Sequence, residues 1–372
     1  MSSCSISSIE VIPLRARRKE AVKSGLNPAD PVTASEFGLI RILVEGGLEG
    51  YGEISITYPR IGHTLCHAAK NLIAPALIGR DALATPQCLA EVDRVLAGEL
   101  SAPYLQAAFE MALLDIAGKH YNTPLYQLLG GRMRDRAPLA WGIYRKSSDE
   151  MVLDAVQAIE AGYHAIKLKV GGRPLSEDLE AVSAVARATK VPLRLDVNGA
   201  YQSVAEAARS IEAFAKVAKI AWIEQPLPRH NLDGLRMLRQ RTGVPIMADE
   251  SCQTLHDAYQ LARAEAADVW NVYVAEAGGL LAASHIFALA GILDVPCILG
   301  SQAEMGVATA ACAHLAVALP NLPHPIETFG PLRYHRDIIS PAIPIKNGFL
   351  QPPEGPGLGV TLDWESINEQ RI

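Results

Sequence analysis

Eight short apolar runs recur between residues 138 and 329, separated by Ala-rich amphipathic stretches. The runs fall at 138–144, 164–170, 192–198, 220–226, 245–251, 269–274, 296–301 and 325–329. Intervening segments such as "SSDEMVLDAVQAIEAG" and "SEDLEAVSAVARAT" open on Ser or Asp caps, and several close on Gly or Thr. Eight strands alternating with helices, at a repeat of roughly 25–30 residues, are what a (β/α)8-type barrel requires. A doubly wound open sheet is the competing α/β arrangement, but no GxGxxG follows the first strand to support it.

One polar residue per unit falls at the C-terminal end of its run. Lys169, Asp196, Glu224, Asp249 and Tyr273 follow one another at spacings of 27, 28, 25 and 24 residues. In a barrel these ends meet around one mouth, where polar groups serve chemistry rather than packing. Asn198, Glu250, Ser301 and Glu327 belong to the same rim. Strand alternation puts Lys167 and Lys169 on one face, and because helices cover the outside, that face is the lumen. Buried ammonium groups are costly without nearby anions, which Asp196, Glu224 and Asp249 supply.

Any one of these acids alone reads as an ordinary strand-end carboxylate. Three in register repel one another, and an oxygen-only set without Cys or His favours a hard cation. Mg2+ is expected, with Mn2+ able to substitute. An ion with open positions can polarise a substrate carboxylate, so that the hydrogen on the adjacent carbon becomes removable as an enediolate forms. Lys169, nearer the strand end, is the expected base, with Lys167 lowering its proton affinity and touching the carboxylate.

The flanking sequence differs in pattern. From Ile6 to Ile56 it is β-like, with "EGGLEG" as a hairpin turn, and "RKEAVKSGLNPADPVTAS" reads as a polar mobile loop. Helix-rich sequence follows to about Arg134. The expected division is an α+β domain over 1–134, the barrel over 135–333, and a Pro/Gly-rich segment over 334–372 that packs back on the first domain. A net charge of −6 argues against nucleic acid or anionic membrane as partner and favours a small molecule. Six scattered cysteines without a CxxC pair read as reduced buried thiols. No stretch reaches the roughly 20 apolar residues of a membrane span, so cytoplasmic residence is the default expectation.

As a set, "YGEI", "ALLDIAGK", "PLYQLLGG", "IKLKVG", "LDVNGAY", "IEQPLP", "MADES", "AGGL", "ETFGPL" and "PGLGVTLD" resemble the enolase superfamily, specifically its muconate lactonizing enzyme (mandelate racemase/muconate cycloisomerase-like) subgroup. The resemblance implies a (β/α)7β TIM-type barrel with an N-terminal α+β capping domain completed by the C-terminal tail. It implies Lys169 as acid/base with Lys167 as electrostatic partner, and Asp196, Glu224 and Asp249 as metal ligands. Asn198 and Glu250 would support them, and Glu327 would be the active-site acid of the eighth strand. Segments at about 19–33 and 55–63 would be the loops that close over substrate. A homo-oligomer is expected by the same likeness.

The subgroup carries Asn-x-Lys on the sixth strand, whereas this chain reads Asn271, Val272, Tyr273. Losing the lysine that would face Lys169 puts two-lysine racemisation in doubt. A cycloisomerase acting on a small carboxylate through one lysine is therefore expected first. A syn-dehydratase of a small hydroxy acid or hydroxy amino acid, a racemase pairing Lys169 with Tyr273, and a non-catalytic binding protein are the alternatives. His63, His67, Cys252 and Glu304 are weaker candidates for the pocket lining. Lys19, Lys23 and Arg60 are candidates for a distal subsite.

Overall fold

The computed structural model describes residues 4–22, 31–56, 61–97 and 102–372. Ile6–Val22, Val32–Val44 and Glu49–Ser55 form an antiparallel sheet in chain order. Its last strand carries glycines at 50 and 52 because the helix Ala102–His120 lies directly on the strand. A Cβ on Gly52 would stand 1.8 Å from the Ala108 carbonyl oxygen. That helix is buried on nearly every face, since the sheet covers one side and the barrel helices the other.

The polar stretch after Arg17 is not all loop, as the sequence suggested. The first strand runs on to Val22 and its partner begins at Val32. Arg18 is buried there, its Nε donating to Ser35 Oγ at 2.9 Å. This internal partner lets a charged residue continue a strand. Residues 23–30 and 57–60, including Lys23 and Arg60, lie outside the described residues, as does much of the two expected closing loops.

The barrel sheet has seven parallel strands in chain order: Ala140–Ile143, Ala165–Lys169, Leu193–Asp196, Ile220–Glu224, Ile246–Ala248, Val269–Val272 and Cys297–Leu299. The eighth run, 325–329, is reduced to a bridge between Ile326 and Leu139. It still closes the ring: Ala140 N donates to Ile326 O at 2.8 Å, and Glu327 N to Leu299 O at 3.0 Å. Pro323 and Pro325 have no N–H to extend the ladder. The third and fourth strands stop early because Asn198 and Gln225 take left-handed backbone conformations, φ 48° and 37°.

Ser147 and Thr254 form capping boxes on the helices they precede. The helix Leu175–Thr189 instead starts after Pro174 with no side-chain cap, so the expected Ser cap at 176 lies inside it. Carboxylates from the N-terminal half cap barrel helices in turn. Glu53 accepts from Met305 N at 2.8 Å and Ala308 N at 3.0 Å, while Glu110 accepts from Leu280 N and Leu281 N. The tail returns to the first strand, where Ile372 N donates to Pro13 O at 3.1 Å. Part of it, Phe349–Leu350, pairs instead with Ala137–Pro138 at the foot of the barrel. None of the six cysteines forms a disulfide, and all are buried. Among the described residues, no helix is long and apolar enough to cross a membrane.

Candidate active site

Strand alternation orders the lumen in layers. Trp222, Met247, Val269 and Ile298 fill the floor as an apolar cluster. Two residues further along the same strands stand Glu224, Asp249, Asn271 and Gly300. The sequence therefore converts a packed floor into a polar mouth in one step of the pleat. Above it lies a cavity of about 270 Å3, lined by Lys167, Lys169, Asn198, Asp249, Glu250, Tyr273, Ser301 and Glu327, among others.

Lys167 is buried, with Nζ 2.6 Å from Glu224 Oε1, 2.7 Å from Glu327 Oε2 and 2.9 Å from Asp196 Oδ2. Burial would push its pKa down, but Asp196, Glu224, Glu327 and Asp249 outweigh that and hold it well above the ordinary lysine value. It is thus a fixed cation. Lys169 donates to Asp196 Oδ2 at 2.5 Å and to Asn198 Oδ1 at 2.9 Å. Asn198 in turn donates to Glu250 Oε1 at 3.1 Å.

Asp196, Glu224 and Asp249 each present one oxygen to a common space, the three atoms lying within 4.8 Å of one another. Burial pushes the Asp196 carboxyl up, but Lys167 and Lys169 overcome this and hold it below the usual range. Burial and the Asp196 charge raise Glu224 to about 8, and burial with Glu250 and Glu224 raises Asp249. Glu224 Oε2 is buried without a hydrogen-bond partner among the described residues. A divalent cation fits this set: oxygen donors only, mutual repulsion to relieve, and an unused buried acceptor.

Tyr273 is turned toward this cluster. Its hydroxyl donates to Asp249 Oδ2 at 3.3 Å and accepts from Asn271 Nδ2 at 3.3 Å. The same Asn271 amide lies 3.2 Å from Glu224 Oε1. Room for the ring comes from Gly300, where a Cβ would stand 2.6 Å from Tyr273 Cε2. Burial, followed by the charges of Asp249 and Glu224, raises the phenol well above its ordinary value, so it stays neutral.

The remaining candidates divide. Glu327 is held by Lys167 and by Arg194, whose Nη1 lies 3.5 Å away. Ser301 lines the cavity but bonds Glu304, not the carboxylate cluster. Cys252 is buried in the core. His63, His67 and Lys19 are exposed and do not line the cavity. Sequence reasoning missed Gln225, whose Oε1 accepts from Asp249 N and Ser251 N at 3.0 and 3.1 Å and so sets the turn that presents Asp249. It also missed Tyr144, Glu276 and Arg333 on the cavity wall. Gln225 sits in "EQP", a signal within reach; Arg333 follows the last strand, where spacing carries no information.

The enolase C-terminal domain-like family model matches residues 150–366, and that of the mandelate racemase / muconate lactonizing enzyme N-terminal domain matches residues 26–130. Muconate cycloisomerase 1-2 of Acinetobacter lwoffii is 35% identical over 90% of this chain and 87% of its own. The muconate lactonizing enzyme of Pseudomonas fluorescens, solved with muconolactone, superposes over all of both chains with a TM-score of 0.93 at 30% identity. N-succinyl Arg/Lys racemase from Bacillus cereus superposes with a TM-score of 0.91 at 26% identity, covering 99% of this chain and 98% of its own. The chain therefore belongs to the enolase superfamily, in its muconate lactonizing enzyme-like subgroup. It is an isomerase of that superfamily.

Proposed function

We propose that this protein catalyses an Mg2+-dependent proton transfer at the carbon next to a carboxylate, through an enediolate, as a muconate cycloisomerase-like enzyme with one acid/base, Lys169. The observation that carries this reading is the hydrogen bond from Tyr273 to Asp249, which commits the sixth-strand side chain to a metal-ligand carboxylate. Among the described residues, with Lys167 held as a fixed cation by three carboxylates, Lys169 is then the amine that exchanges a proton with substrate, so the reaction proceeds on one face. The racemase alternative needs Tyr273 to give up a proton that burial and neighbouring anions hold tightly.

Asp196, Glu224 and Asp249 would hold the ion, with Mn2+ able to replace Mg2+. Bound there, it would polarise the substrate carboxylate and lower the cost of charge developing on it. Lys167, a cation beside Glu327, adds electrostatic stabilisation of the same charge. Lys169 moves the proton at Nζ while Asn198 fixes its amine and Glu250 in turn orients the Asn198 amide. Asn271 and Gln225 keep Glu224 and Asp249 in position.

The test is proton exchange followed by NMR in deuterated water, with Mg2+ and a panel of muconates and small carboxylates. One-faced exchange without inversion is expected, with a loss of at least about 1,000-fold in Lys169→Ala. Exchange that survives in Lys169→Ala but disappears in Tyr273→Phe would overturn the assignment.

A further inference from the structure

Beyond the metal-ligand set, the cavity wall carries a further carboxyl that the proposed reaction does not use. Glu276, in the short helix Val274–Ala277 that follows the sixth strand, is 7% exposed and lines the cavity together with Tyr104, Gln302 and Glu250. Neutral groups supply its hydrogen bonds. Tyr104 Oη, from the helix Ala102–His120, donates to Oε1 at 3.2 Å, and Gln302 Nε2 donates to the same oxygen. Oε2 is buried and has no hydrogen-bond partner among the described residues. Arg229 acts on Glu276 from beyond Gln253, to whose Oε1 its Nη1 donates at 2.6 Å. Glu250 shows the same imbalance: Asn198 Nδ2 holds its Oε1 at 3.1 Å, while Oε2 is buried without a partner among the described residues. Burial, and then the Glu250 charge, raise the Glu276 carboxyl to about 7, against the opposing hydrogen bonds of Tyr104 and Gln253. This wall is therefore anionic, with two unused buried acceptors.

We infer that Glu276, with Glu250, binds a cationic nitrogen of the substrate, so that the substrate is an amino carboxylate. The inference rests on the proposed function, which places the carboxylate of that substrate at the metal, and it narrows the substrate class of the same site. A buried acceptor without a donor is costly, and two such acceptors on neighbouring carboxylates are best relieved by a group that brings both charge and several N–H donors. An ammonium carries three donors, and its hydrogen bonds to carboxylates are among the strong ones. A second divalent ion suits the pair less well, since it would require further oxygen ligands than these two carboxyls supply. Glu276 also ties the helix Ala102–His120 to the barrel through Tyr104. A purely structural tie would alter stability and leave the choice between ligands untouched.

The test is calorimetric binding to the Mg2+-loaded protein, with amino carboxylates set against isosteres that carry carbon in place of nitrogen. The pairs are alanine and 2-methylpropanoate, proline and cyclopentanecarboxylate, and 4-aminobutyrate and pentanoate. At least one amino carboxylate should bind roughly tenfold more tightly than its isostere. Glu276→Gln should erase that preference while the isostere stays within about twofold of its wild-type affinity, which shows that the variant is folded. Glu276→Asp should keep part of the preference. Tyr104→Phe, which cuts the tie to the helix but leaves the charge, should keep nearly all of it. No preference for any amino carboxylate in the wild type, or a preference that survives Glu276→Gln, would overturn the subsite. A second equivalent of Mg2+ that binds the wild type and is lost in Glu276→Gln would give these carboxyls to a metal ion and overturn it equally. If the first equivalent of Mg2+ fails to bind, the proposed function falls; if it binds and the amine preference is absent, only the subsite does.

Discussion

Tyr273 illustrates how one side chain narrows a reaction. In sequence it is only a departure from Asn-x-Lys; in the fold its ring lies over Gly300 and its hydroxyl reaches Asp249. Tyr273→Phe is expected to weaken Mg2+ binding about tenfold, as loss of a ligand-orienting hydrogen bond does, while one-faced exchange persists at saturating Mg2+. A calorimetric titration beside the exchange assay separates the two effects; lost exchange with intact Mg2+ affinity would make the phenol a proton carrier. Gly300→Ala should destabilise the protein by about 1–3 kcal/mol, because the new methyl overlaps both the ring and the Asn271 carboxamide. Denaturant unfolding measures this, and an unchanged midpoint would mean that the ring has space to move.

At the scale of elements, seven of the eight expected barrel strands form but end sooner than their apolar runs, and the eighth is reduced to a bridge. Pairing stops where Asn198 and Gln225 turn left-handed, next to the Asp196 and Glu224 carboxylates. The helix caps donated across from the N-terminal half were not legible, because Glu110 and Leu280 are 170 residues apart. Burial holds the Glu110 carboxyl at about 7, against an ordinary 4.5. The folded state thus holds this proton more tightly than the unfolded chain does. Its contribution to stability is complete below about pH 4.5 and is lost as pH rises through about 7. Glu110→Gln should therefore flatten the fall in stability over that window relative to wild type, measured as denaturant midpoint against pH. Parallel curves for the two proteins would contradict this.

For the whole molecule, stability and the metal site should be linked. The acids that repel one another in the lumen come from three separate strands, so an ion that binds them favours the folded chain. Mg2+ at 100 times its dissociation constant should add about 2.7 kcal/mol, reversed by chelation, with the gain lost in Asp249→Ala. A melting temperature indifferent to Mg2+ would count against the site. The repeat of apolar runs and rim residues was enough to determine the barrel, the Lys-x-Lys pair and the three acids, because one strand per repeat puts every run's end at the same mouth. Which way Tyr273 points, how Ile326 closes the ring and that Arg333 lines the cavity were decided only by tertiary structure. These depend on the space left by Gly300, on prolines beside a short strand and on a segment beyond the last repeat, contacts that have no period in the sequence.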